Sequence, residues 1–160
     1  MTQSQEETSL KHGKEHGSAS LVTGNLMSVL RCIPMLSIMG ILFFLSSVPG
    51  DAMALPDIIN IDKYAHALAY AALALSVLFA LSRRFCSRHP YRTVIFVFCF
   101  CLLYGISDEF HQVFVPLRSP SVYDLMADGV GALLAMVLWL QGWLPILAGF
   151  LPCPWQNKSK

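Results

Sequence analysis

The chain has 160 residues, 55% of them hydrophobic and 13% charged, with a mean hydropathy of +0.56. Soluble domains carry about 25% charged residues; so few charges cannot solvate so small a globule, which excludes an ordinary soluble domain, and the apolar excess excludes disorder as the main state. A formal net charge of +1 excludes a nucleic-acid binder that works through bulk basicity, leaving a small all-α polytopic membrane protein.

Residues 1–28 form a polar tail in which Glu6, Glu7, Lys11, His12, Lys14, Glu15 and His16 lie among Gln, Ser and Gly without an apolar period, and the tail is expected to be disordered. A transmembrane domain over 29–151 follows, with four predicted spans at about 29–48, 63–82, 92–115 and 121–144, and then a short tail over 152–160. The first span has Arg31 at its start, placed to snorkel, and ends at Pro49-Gly50. Ala52-Met53-Ala54 behind it resembles a signal-peptidase site, but the long polar stretch before the span and the three spans after it argue for an uncleaved helix. The second span contains His66. The third is uncharged only from Thr93 to Ser107, too short to cross a bilayer core. It is therefore predicted to continue through Asp108, Glu109 and His111 toward Val115, before Pro116. The fourth begins near Ser121 and is expected to kink or end at Pro145, with Trp139, Trp143 and Trp155 suited to an interfacial belt.

Charge placement predicts an orientation. The connection between spans two and three holds Arg83, Arg84, Arg88 and Arg92 and no acid, so the positive-inside rule puts it, and with it both termini, in the cytoplasm. Asp51, Asp57, Asp62, Asp108, Glu109, Asp124 and Asp128 then face outward with only Lys63 and Arg118. The cysteines (Cys32, Cys86, Cys99, Cys101, Cys153) are an odd, scattered set and read as small packing residues rather than a disulfide framework.

The chemistry-bearing residues gather at the outer ends of the spans. On span two, Asp62, Lys63, His66 and Tyr70 share one helix face, and flanking alanines keep the helix thin. On span three, Asp108 and Gln112 are four residues apart and Glu109 and Gln112 three. Adjacent carboxylates near membrane depth cost about 2.5–3.5 kcal/mol each on insertion scales, so partners are expected; Arg118 is the natural one, by bidentate pairing. On span four, Asp124 and Asp128 share a face, Asp124 also suits the helix start, and Ala127, Gly131 and Ala135 form a small-residue row for packing within the chain or between copies.

Ser46-Ser47-Val48-Pro49, Asp62-Lys63-x-x-His66-x-x-x-Tyr70, Asp108-Glu109-x-x-Gln112-x-x-x-Pro116-x-Arg118 and Ser121-x-x-Asp124-x-x-x-Asp128-x-x-Gly131 occur in that order over residues 29–140. This arrangement resembles the VanZ-like family of small bacterial membrane proteins. The resemblance implies the bacterial cytoplasmic membrane and a link to glycopeptide (teicoplanin) resistance. It also marks two departures: that family often has Asn where Asp128 stands and Gly where Leu117 stands, so Leu117 implies a different turn before Arg118.

Three functional readings follow, beside a purely structural one in which Arg118 neutralises Asp108 or Glu109 to join two helices. In the first, an outward-facing site at the membrane boundary binds an envelope lipid, a lipid-linked envelope precursor or a related anionic head group. Its ligand-binding residues are Lys63, His66, Tyr70, Asp108, Glu109, Gln112, Arg118, Asp124 and Asp128, it needs no metal or cofactor, and oligomers through the small-residue faces are open to it. In the second, the chain is an enzyme at the outer leaflet, with His66 oriented by Asp62 as general base and Glu109 as acid; no metal-ligand or nucleophile motif supports it. In the third, the acids carry protons or ions, but they cluster at one end rather than at midplane.

Overall fold

The computed structural model describes residues 28–49 and 61–142. Most of the expected N-terminal tail, the 152–160 tail, Ala52–Ala54, Pro145, Trp143, Trp155 and Cys153 lie outside the described residues. Four helices are long and apolar enough to cross a membrane: α1 (Ser28–Ser46), α2 (Ile61–Ala80), α4 (Pro90–Gln112) and α5 (Val122–Leu140). A short helix, α3 (Arg83–Arg88), lies between α2 and α4, and no strand occurs among the described residues.

Local chemistry explains the boundaries. Ser82 caps α3, its hydroxyl accepting from the Phe85 N–H at 3.2 Å, so the basic connection is a turn of helix rather than a plain loop. Pro90 opens α4 at a position where its missing N–H costs nothing. That helix stops at Gln112, three residues short of the expected Val115. Phe114 and Val115 bond back only three residues, to the His111 and Gln112 carbonyls, as the chain tightens ahead of Pro116. Leu117 then takes φ +59°, the left-handed region that glycine enters freely. The leucine therefore occupies a glycine conformation at some strain.

The most extensive interface is α2 on α5, followed by α4 on α5. Gly131 makes the first possible: a Cβ there would meet the backbone of Ala67, 2.6 Å from its carbonyl carbon and 2.8 Å from its Cα. The small-residue row thus packs two spans of one chain. The core includes Tyr70, Leu73, Val77 and Leu78 of α2, Val97 and Cys101 of α4, and Met136 and Trp139 of α5. Trp139 is 2% exposed, inside the bundle instead of in an interfacial belt. Cys86 and Cys101 are buried and Cys99 exposed, consistent with packing roles for the first two. Helix α1 lies at the periphery, with Met35, Ile38, Met39 and Leu42 against the core and Ile33, Leu36, Ile41 and Phe44 facing out. Large apolar side chains also cover the outward faces of α4 and α5, as a lipid-facing surface requires.

The four long helices bring one set of ends together: the C-termini of α1 and α4 and the N-termini of α2 and α5. Every acidic residue among the described ones (Asp62, Asp108, Glu109, Asp124, Asp128) sits there. Arg31 and the arginines of the α2–α4 connection sit at the other.

Candidate functional site

Helix α2 contributes first. Lys63 Nζ lies 2.7 Å from Asp62 Oδ2 and 3.5 Å from Asp124 Oδ1, an ion-pair bridge from the first turn of α2 to the first turn of α5. At 3.5 Å the second contact lacks hydrogen-bond geometry, and Asp124 Oδ1 is buried without a hydrogen bond. One turn deeper, His66 Nδ1 is 2.9 Å from Oδ1 of Asp128, which is 1% exposed. A carboxylate only accepts, so Nδ1 carries a proton. The sequence reading paired His66 with Asp62. The structure replaces that pairing: Lys63 holds Asp62, and Asp128, which α5 aims at the α2 face, holds His66.

Room for the buried carboxylate comes from Gly105, where an added Cβ would approach Asp128 Oδ2 to 2.9 Å and Tyr70 Cε1 to 3.5 Å. Tyr70 is fully buried beside Tyr104 (ring centroids 6.3 Å apart), and its hydroxyl has no partner among the described residues.

On α4, Gln112 Nε2 donates to Asp108 Oδ2 at 3.3 Å, as the four-residue spacing predicts. Glu109 does not turn to Gln112. Its Oε2 accepts from the Ser121 N–H at 2.6 Å, placing a carboxylate at the N-terminus of α5, where Ser121 supplies no side-chain cap. Its Oε1 is buried and unpartnered. His111 faces away from this cluster, 3.0 Å from Ser47 Oγ and stacked on Phe43 of α1 (centroids 4.6 Å).

Arg118 is the largest departure from expectation. Neither Asp108 nor Glu109 pairs with it. Its Nε donates to the Val48 carbonyl at 3.2 Å and its Nη2 to the Leu45 carbonyl at 3.1 Å. A guanidinium there satisfies the open carbonyls at the end of α1 and complements that helix's negative pole. Tyr104 adds a second tie, its hydroxyl donating to the Met39 carbonyl at 2.6 Å.

Between α1, α2 and α4 lies a pocket of about 260 Å³. Of the nine residues the sequence proposed, His66, Asp108, Gln112 and Arg118 line it, while Lys63, Tyr70, Glu109, Asp124 and Asp128 stand behind or beside it. Asp62, which the sequence placed on the same face of α2 as His66, also lines it; the remaining walls were not named as site residues: Ala65 and Ala69 of α2, and Leu42, Leu45 and Ser46 of α1. The sequence reading joined only spans two, three and four, whereas α1 forms one wall. Ser46 is 5% exposed with an unpartnered hydroxyl. The polar run Ser46-Ser47 at the end of an apolar span was the available signal for it.

Asp62, His66, Asp108 and Ser46 all belong to the pocket wall, Ser46 with its hydroxyl buried and unpartnered. Buried polar atoms without protein partners are the groups that a ligand, a water or a proton satisfies. Comparison with known protein families shows that the model of the VanZ/LLP1 family matches residues 4–147. Comparison with curated proteins gives no match, and comparison with solved structures gives none.

Proposed function

The chain belongs to the VanZ/LLP1 family, and on that footing we propose that this multi-pass membrane protein binds the head group of an envelope lipid at the outer face of the bacterial cytoplasmic membrane. One observation carries the reading: the pocket of about 260 Å³ at the polar end of four membrane-length helices, lined both by apolar residues (Leu42, Leu45, Ala65, Ala69) and by polar ones (Ser46, Asp62, His66, Asp108, Gln112, Arg118). Such a site takes a molecule that is part wet and part apolar, which is the character of a lipid at the bilayer boundary. Arginines at the opposite end support an orientation with that end and both termini in the cytoplasm. The family name is linked to teicoplanin resistance.

The test is native mass spectrometry of the detergent-purified protein beside Ala69→Trp, which fills the pocket from a wall residue without removing a polar partner. A lipid mass on the wild type that is absent from the folded variant is the expected result. The same adducts on both proteins, or none on either, would overturn the reading.

A second reading, an enzyme acting on that lipid, is favoured by one detail. A histidine whose Nδ1 is held by a buried carboxylate shares the pocket wall with a serine hydroxyl, the types of group used for nucleophilic catalysis. Turnover of a labelled lipid in proteoliposomes, lost in His66→Gln, would move the function to this reading.

A further inference from the structure

We infer that Arg84, Arg88 and Arg92, at the end of the bundle opposite the pocket, bind the phosphate groups of anionic phospholipids in the adjoining membrane leaflet. This surface lies apart from the pocket and does not depend on the head-group reading proposed for it.

Chain connectivity fixes the depth. Only Leu81 and Ser82 separate α3 from the end of α2, and only His89 separates it from Pro90, where α4 begins. Both neighbours are membrane-length helices, so α3 cannot leave the bilayer boundary, the layer that holds the phospholipid phosphates. Within α3, Cys86 is buried against the bundle. Arg84 and Arg88 each stand two residues from it, about 200° around a helix, and four residues from each other. They therefore share the face turned away from the bundle. Both are exposed, as is Arg92 on the first turn of α4. Phe85 and Tyr91 beside them are 38% and 66% exposed, aromatic side chains suited to the head-group level.

Charge selects the ligand. Positions 64–107 hold no Asp or Glu, and among the described residues no hydrogen bond or ion pair engages the Arg84, Arg88 or Arg92 side chain. Arg83 is engaged already and is not counted. A guanidinium stays charged and presents paired N–H donors that match two phosphate oxygens. In phosphatidylcholine the phosphate charge is offset by the lipid's own ammonium, whereas an anionic phospholipid leaves its charge for the protein to neutralise. An acidic peptide would match the charge as well, but the short connections hold these arginines among lipid phosphates, which are present there at high density.

The experiment is a native mass spectrometry titration of the full chain, at low ionic strength, with phosphatidylglycerol and with phosphatidylcholine of identical acyl chains. It compares the wild type, Arg84→Gln/Arg88→Gln/Arg92→Gln and Ala69→Trp. An arginine near an anionic bilayer surface is worth about fivefold in affinity, so the triple variant should bind phosphatidylglycerol about a hundredfold more weakly. Its melting temperature should be unchanged, because glutamine forms helix as well as arginine does. Should it fail to fold, Arg84→Gln/Arg88→Gln stands in, with a loss of about twenty-five-fold. Ala69→Trp, at the other end of the bundle, should keep the tight phosphatidylglycerol adduct, and added salt should weaken that adduct in the wild type. Equal phosphatidylcholine binding by the wild type overturns the anionic preference. A triple variant that binds phosphatidylglycerol like the wild type overturns the role of the arginines. Loss in Ala69→Trp alone puts the lipid in the pocket, which overturns this inference and leaves the proposed function standing. Displacement of the lipid by an equal concentration of soluble glycerol phosphate makes the ligand a free phosphate and overturns the lipid assignment.

Discussion

Gly131→Ala tests the architecture at its tightest point. The added methyl would sit 2.6 Å from the Ala67 carbonyl carbon and closer still to its oxygen, whereas ordinary contact begins near 3.4 Å. The obstacle is backbone, so no side chain can swing aside, and α2 and α5 must part by about 0.8 Å or more. Overpacking of this kind costs about 1–3 kcal/mol. The His66–Asp128 contact lies beside it, since His66 adjoins Ala67 and Asp128 is three residues from Gly131. Parting the helices stretches that 2.9 Å bond to its limit, and losing a hydrogen bond to a charged group adds about 1.5–3 kcal/mol. At about 2–4 °C per kcal/mol for a chain of this size, the midpoint should fall by at least roughly 5 °C. Thermal unfolding in detergent, followed by near-UV circular dichroism or by loss of the monodisperse chromatographic peak, reads the effect. Gly40→Ala is the control: nothing lies within 4 Å of its added methyl, and better helix propensity should leave the midpoint equal or slightly raised. A Gly131→Ala protein that melts within a degree of wild type would falsify the close α2–α5 approach.

Four further outcomes are expected. His66→Ala strands the Asp128 carboxylate and should cost about 3–5 kcal/mol, while the double variant His66→Ala/Asp128→Leu should recover much of the loss; additive or greater damage in the double variant would show that the His66–Asp128 contact is not the source. Leu117→Gly relieves a left-handed leucine that buries little, Leu117 being largely exposed, and should raise stability by about 1 kcal/mol; a lower melting point would refute the strain. Burial pushes the Cys86 thiol up from its ordinary value, so the reactive thiolate forms only at higher pH; in a single-cysteine background, maleimide should modify Cys86 far more slowly than a free thiol near neutral pH, faster as pH rises, and at the free rate once the chain is denatured. For orientation, Ser119→Cys in a cysteine-free background should react with an impermeant maleimide on intact cells, and Arg84→Cys only after permeabilisation; the reverse pattern would invert the proposed topology.

The helices and the polar end were legible along the chain because each is a local property. Spans follow from runs of apolar residues between Pro49, the Arg83–Arg92 connection and Pro116, and the acids advertise their own cost within apolar sequence. The Asp108–Gln112 bond was legible too, since a helix brings residues four apart together whatever surrounds it. Gly105 was less so: a glycine inside an apolar run suggests a close approach without naming Asp128 as the neighbour. The end of α4 was misplaced because three-residue bonds and the constraint ahead of Pro116 prevailed over apolar continuity.

By itself, the sequence determined that this is an all-helical membrane protein with its acids gathered at one end, through hydropathy, spacing and charge. Only the tertiary structure decided who pairs with whom. Five acids compete there for a few donors, and packing settles the competition. Gly131 draws α5 onto α2, which delivers Asp128 to His66 and leaves Asp62 to Lys63. The turn at Leu117 carries Arg118 past Asp108 and Glu109 to the carbonyls that end α1. That contact and the Tyr104 tie fasten α1 to the bundle, where its Leu42, Leu45 and Ser46 complete the pocket. Apart from Asp62–Lys63, each of these contacts joins residues more than 60 positions apart, and no local pattern encodes a partner at such a separation.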